Sequence, residues 1–156
     1  MEILPAIGFA NKLSENTRKI LSTFGEFKEY ESGENIIKQL ELHPYMYVLL
    51  EGSAEVYYRG FKGEIMASQL SEGASFGEFS MLFDQCASAS IRSTSKIKVW
   101  RIRQKDYQIF ATEAPGAAHL ILTDILRQLG DRLRNAGQMI VGNTIIQEAK
   151  KEDDEE

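Results

Sequence analysis

The residues best suited to chemistry lie between positions 73 and 92. They read Gly73-Ala74-Ser75-Phe76-Gly77-Glu78-Phe79-Ser80-Met81-Leu82-Phe83, then Asp84-Gln85-Cys86-Ala87-Ser88-Ala89-Ser90-Ile91-Arg92. Gly77 permits a close approach of backbone to a ligand. Glu78 to Phe83 can form a short helix directly after it, and the free N–H groups at the start of such a helix attract an anion. Glu78 does not suit the anion itself, because like charges repel. A carboxylate beside a phosphate accepts hydrogen bonds from sugar hydroxyls instead. A plainer reading of the same residues is a glycine turn, a short helix and a strand.

Other chemistries lack their residues. The only histidines are His43, in a loop beside Pro44, and His119, in a helical stretch. A metalloenzyme on a barrel needs two or three histidines and a carboxylate converging from neighbouring strands. No Gly-x-Ser-x-Gly elbow, no phosphate loop ending in Gly-Lys-Ser/Thr and no cysteine with an evident histidine partner is present. The single cysteine, Cys86, cannot close an internal disulfide, which fits a reducing compartment. We therefore expect no catalytic residue and no metal.

Charge and length narrow the partners. The net charge of −5 arises from Glu152, Asp153, Asp154, Glu155 and Glu156; without these five, 18 acidic residues face 18 basic ones. A balanced body has no surplus of Lys and Arg with which to displace counterions from nucleic acid. The acidic end reads as a solvated, disordered tail, or alternatively as a hook for a basic partner. No stretch reaches the roughly 20 apolar residues of a membrane span, and the acidic start at Glu2 does not resemble a secretory signal. A cytoplasmic protein without membrane contact is the expectation.

The positioning elements follow from periodicity. Ser14 caps a short helix carrying Ile20, Leu21 and Phe24. Between about Phe27 and Arg103, short runs rich in Val, Ile, Tyr and Phe alternate with Gly33, Gly52, Gly63, Gly73 and Gly77, a rhythm of strands and turns that points to a sandwich or barrel. Strands are predicted at 34–39, 45–50, 53–59, 64–70, 89–93 and 98–103, with a hairpin turn of positive φ at Gly52. Past Pro115, Ala118, Leu122, Ile125, Leu129, Leu133 and Ala136 recur at spacings of three and four, which predicts one helix over 116–137. Part of that stripe should cover the sheet. The rest either packs within the chain or meets the same helix of a second copy.

The 73–92 segment resembles the phosphate-binding cassette of the cyclic-nucleotide-binding domains, the family of the catabolite activator protein and of protein kinase A regulatory subunits. Gly33-Glu34-x-Ile36-Ile37-x-Gln39 and Tyr47-Val48-Leu49-Leu50-Glu51-Gly52-Ser53-Ala54-Glu55-Val56 resemble the family's opening strands and central hairpin. The likeness covers about residues 9–138. It implies a mainly β fold, an eight-stranded jelly roll (double-stranded β-helix) with N-terminal helices and a long C-terminal helix. It implies a cyclic-nucleotide-binding-like domain over 1–138 and an extension over 139–156. It also implies ligand contacts from Phe76, Gly77, Glu78, Phe79, Ser88, Ala89 and Ser90: Glu78 at the ribose 2′-hydroxyl, N–H groups near Gly77 and Ala89 at the cyclic phosphate, and the Ser88 hydroxyl at the phosphate or base.

One residue departs from this pattern at its chemical centre. Where the family has an arginine that pairs with the phosphate, this sequence has Ala87, and the preceding proline is Cys86. Losing a charge-assisted bond of about 1.5–3 kcal/mol weakens binding at least about tenfold. Arg92 should point away from the interior if Ile91 points into it, which leaves Arg59, Lys62 or Arg132 as substitutes. Leu40 replaces the usual glycine after Gln39, and Arg132 and Leu133 fall where some members offer a Thr-Ser pair to adenine. Two readings follow. One is a non-catalytic regulatory module with cAMP or cGMP binding weak or absent, acting on another protein or as a homodimer through helix 116–137. The alternative is a sensor of cAMP, cGMP or another nucleotide that uses the residual pocket groups. About 18 residues follow the helix, too few for a helix-turn-helix, so direct DNA binding by this chain is not expected.

Overall fold

The computed structural model describes the backbone of residues 1–154 and the side chains of residues 1–142. Ser14 begins the first full helix, α1 (Glu15–Phe24): its Oγ accepts the N–H of Thr17 at 3.1 Å. A 3-10 turn over Gly8–Lys12 precedes it. Eight strands follow, β1 (Gly25–Tyr30), β2 (Asn35–Ile37), β3 (Tyr45–Glu51), β4 (Ala54–Gly60), β5 (Gly63–Leu70), β6 (Ser75–Phe76), β7 (Ser90–Ser93) and β8 (Ile97–Arg103). The six predicted strands are β2, β3, β4, β5, β7 and β8, whereas β1 and the two-residue β6 were not anticipated. Helix α2 (Glu78–Phe83) separates β6 from β7, and α3 (Gln104–Glu113) and α4 (Pro115–Asp154) follow β8.

The strands form two four-stranded antiparallel sheets, ordered β1-β8-β3-β6 and β2-β7-β4-β5. This is the expected jelly roll. Its interior is lined by Ile37, Tyr47, Leu49, Ala54, Leu70, Phe76, Ala87, Ile91, Ile97 and Val99. In β3 the alternate residues Met46, Val48 and Leu50 are buried as well, so both faces of the first sheet are covered and the strand reads as an unbroken apolar run. Trp100, with Phe9 at its edge 6.3 Å away, and the Phe24–Phe110 pair at 5.6 Å belong to the helical cover on that sheet. Gly52 has φ of 86°, and a side chain there would meet the carbonyl of Lys96 at 2.5 Å, so the predicted glycine turn is obligatory.

The chain divides into two units, Met1–Ile125 and Leu126–Glu156. Within the first, Ala118, Ile121 and Ile125 of α4 are buried. In the second, Leu126, Leu133 and Ile140 are exposed along the helix. The stop predicted at Gly137 does not occur: Gly130, Gly137 and Gly142 all lie within α4. An isolated glycine costs a helix about 1 kcal/mol rather than ending it. Of the acidic run expected to be disordered, Glu152, Asp153 and Asp154 belong to α4, and Glu155 and Glu156 lie outside the described residues.

Candidate functional site

Gly77 caps α2 in the left-handed region, with φ of 79°. A Cβ there would stand 2.6 Å from the Tyr45 carbonyl and 2.9 Å from the His43 ring, so only glycine lets α2 start so close to β3. Before it, Phe76 stacks on Tyr47 with centroids 4.9 Å apart and planes 3° apart. After it, Glu78 (5% exposed), Ser80 and Met81 turn inward, while Phe79 and Phe83 face outward with their rings 5.8 Å apart. The predicted helix after the glycine and the inward carboxylate are therefore both present. Phe79 does not join Phe76, Gly77 and Glu78 inside.

The second half of the segment leaves α2 through Asp84, also left-handed with φ of 53°. Ala87 is 6% exposed and belongs to the apolar interior with Tyr47, Ile37 and Ile91. Its backbone is clamped to the β2–β3 loop: its N–H donates to the Glu41 carbonyl at 2.9 Å, and its carbonyl accepts from Leu40 N–H at 2.8 Å. Leu40, the other departure from the family pattern, has φ of 67°. Glycine adopts that conformation freely and leucine under strain. The two departures are thus hydrogen-bonded to each other. Ser88 is exposed, Ala89 is buried, and the N–H groups of both lie outside the strand ladder and the loop hydrogen bonds. Ser90 is turned to the outer face of its sheet, where its Oγ accepts from Gln39 N–H at 3.0 Å.

Of the cations weighed for the missing arginine's place, Arg92, Arg59 and Lys62 do not enter this interior. Ile91 is buried and Arg92 faces outward, as the strand period predicts. Its guanidinium bonds to Asn35 and Glu64 and lies 4.8 Å over the Tyr57 ring. Arg59 and Lys62 are exposed on or beyond β4, and Arg132 belongs to the second unit. The inward cation is one that sequence reading missed. Arg101 on β8 stands directly opposite Tyr47 of β3, on the face that Ile97 and Val99 present to the interior, and its side chain is 14% exposed. It pairs with Glu26 at 2.8 Å and lies 4.0 Å over the Tyr45 ring. Period-two parity with Ile97 and Val99 was a legible signal for its direction. The long-range register with Tyr47 was not.

Burial shifts two ionisable groups near the cassette. Burial, and then the nearby Tyr30, hold the Tyr47 hydroxyl well above the usual tyrosine range, so it stays a neutral donor. Burial lowers the His43 pKa from its ordinary 6.5, against a backbone hydrogen bond at Tyr45, and its Nδ1 is buried without a hydrogen-bond partner. Among the described residues no group of three His, Cys, Asp or Glu could hold a metal ion, and no helix is long and apolar enough to cross a membrane.

Residues 27–113 match the sequence model of the cyclic nucleotide-binding domain. Together with the jelly roll and the Phe76-Gly77-Glu78 cassette entry, that match makes this chain a member of the cyclic nucleotide-binding domain family. It is similar to human cGMP-dependent protein kinase 2, at 32% identity over 81 residues, which is 52% of this chain and 10% of the kinase. The matched segment therefore spans about a tenth of such a kinase. In fold it is similar to a cyclic nucleotide-binding domain from Methylobacillus flagellatus, with a TM-score of 0.79 at 18% identity over 84% of this chain and 74% of that one. It is also similar to the regulatory subunit of a cAMP-independent protein kinase A from Trypanosoma brucei, with a TM-score of 0.64 at 21% identity over 77% of this chain and 43% of that subunit.

Proposed function

We propose that this chain is a non-catalytic regulatory module of the cyclic-nucleotide-binding type whose binding of cAMP or cGMP is impaired, and that it acts through protein contacts in the cytoplasm. The observation that carries the reading is Ala87, a methyl group packed in the apolar interior at 6% exposure where the family places a cation. The inward guanidinium of Arg101 is already engaged by Glu26. A bound phosphate would have to displace a carboxylate to use it. Relatives of this fold include a kinase named for dependence on cGMP and a regulatory subunit named for independence of cAMP, so membership of the family leaves the ligand open.

The protein contact we propose is a second copy of the chain. Leu126, Leu129, Leu133, Ala136 and Ile140 recur at spacings of three, four, three and four, the seam of a two-stranded coiled coil. The alternative, a working nucleotide sensor, draws support from the inward Glu78 and from the N–H groups of Ser88 and Ala89 outside the ladder. Calorimetric titration with cAMP and cGMP separates the two, with the parent beside Ala87→Arg. We expect no resolvable binding by the parent and a gain of at least about tenfold in the variant, the worth of one charge-assisted bond. Micromolar or tighter binding by the parent rejects the impaired-site reading. No gain in a variant that still melts cooperatively rejects position 87 as its cause.

A further inference from the structure

The back of the cassette strand carries a second concavity. On the outer face of the β2-β7-β4-β5 sheet, a cleft of about 360 Å³ is lined by Lys38, Gln39, Leu40, Tyr57, Arg59 and Arg92, with Ser90 in its floor and Glu41 and Glu64 at its edge. That volume lies within the range of small-molecule sites. Its floor is set by hydrogen bonds: Gln39 donates its N–H to Ser90 Oγ at 3.0 Å, and its Oε1 accepts the Arg59 N–H at 2.7 Å. Arg92 is held over Tyr57, 4.8 Å from the ring centroid, by Asn35 and by both oxygens of Glu64. Its side chain is part-exposed in the cleft, and a guanidinium stacks planar groups. Lys38 and Arg59 are exposed and make no ion pair among the described residues.

We propose that this outer cleft binds a small organic anion with a planar ring. The ring would stack on the Arg92–Tyr57 pair, the acidic group would lie between Lys38 and Arg59, and an N–H or O–H donor would meet Glu41. Every requirement in that description corresponds to a side chain already held or already available. The cleft does not depend on the inner site, since Ile91 and Arg92 point to opposite faces of β7. Its rim residues Leu40 and Glu41 are also the two that clamp the Ala87 backbone.

The test uses the full chain labelled for amide NMR, titrated with 5′-AMP (ring and charge), adenosine (ring alone) and inorganic phosphate (charge alone). We expect 5′-AMP to shift the amides of Tyr57, Arg59, Ser90 and Arg92 more than either fragment does. Lys38→Gln and Arg59→Gln, both on exposed side chains, should each weaken that binding about two- to fivefold, the range for an exposed charge contact. The proposal is overturned if 5′-AMP leaves those amides unmoved to about 10 mM, beyond the weakest affinities of interest. It is equally overturned if the shifts centre on Gly77 and Glu78, or if both variants bind as the parent does. Calorimetric silence at the inner site with shifts at the outer one supports both readings. Shifts confined to Gly77 and Glu78 reject this one and favour the nucleotide sensor.

Discussion

Replacing Leu40 with glycine removes a backbone strain that the protein retains beside its cassette. At φ of 67°, a residue with a Cβ crowds the following carbonyl oxygen, a cost of about 1–2 kcal/mol. Against that gain stand two losses. Leu40 is 77% exposed, so at most about a quarter of its apolar surface is protected, worth about 0.5 kcal/mol. Glycine also gives the unfolded chain more freedom than alanine, at about 0.5–1 kcal/mol. These terms nearly cancel for Leu40→Gly against the parent, and the informative comparison is with Leu40→Ala, which loses the same contact and keeps the strain. The glycine variant should exceed the alanine variant by about 0.5–1 kcal/mol, or about 1–4 °C in Tm for a domain of this size. Urea melts of the three proteins read the difference directly. An alanine variant as stable as the glycine one would refute the strained conformation at position 40, and with it the account of the loop that clamps Ala87.

Two further outcomes follow from burial. His43 has a folded pKa below its ordinary 6.5, so the unfolded chain takes up its proton first as the pH falls. Its contribution to stability is whole above that ordinary value and is lost as the pH drops through it toward the lowered folded value; His43→Gln should therefore show a shallower loss of stability than the parent between neutral and mildly acidic pH, and identical slopes would refute the assignment. Leu133 is 76% exposed, so Leu133→Asp should leave the melting of the body unchanged and halve the mass seen by light scattering; a parent that is already monomeric rejects the coiled-coil seam.

Much of the architecture was legible because its signals are local. Apolar and β-branched runs bounded by glycines marked β3, β4 and β5 to within a residue or two at each end, and the Ser14 cap marked the start of α1. β1 escaped because Gly25-Glu26-Phe27-Lys28-Glu29-Tyr30 carries charges at three of its six positions and no β-branched residue, and its strand character comes from pairing with the distant β8. α3 escaped for the opposite reason: Arg103 precedes it with no side-chain cap, so no local start signal exists. At the site, the outward turn of Arg92 was legible from the strand period. The enclosure of Ala87 and the approach of Arg101 to Tyr47 depend on register between distant strands, which no local pattern encodes.

That division explains how a cassette can survive without its charge. Phe76 and Met81 are buried apolar side chains, and Gly77 is the one residue that fits against the Tyr45 carbonyl, so these positions are held by folding whether or not a ligand binds. A family motif built from them reports the fold more directly than the activity. A charged side chain at position 87 has no such structural duty. In the apolar interior an unpaired guanidinium is a liability of several kcal/mol that only an anionic ligand offsets, whereas a methyl group packs there without one. Position 87 is therefore the place to test ligand dependence, which Gly77, fixed by its backbone contact, is not. If Ala87→Arg lowers stability in the free protein and regains it when cyclic nucleotide is added, the two roles of the cassette are separable, one residue carrying the ligand and the rest carrying the fold.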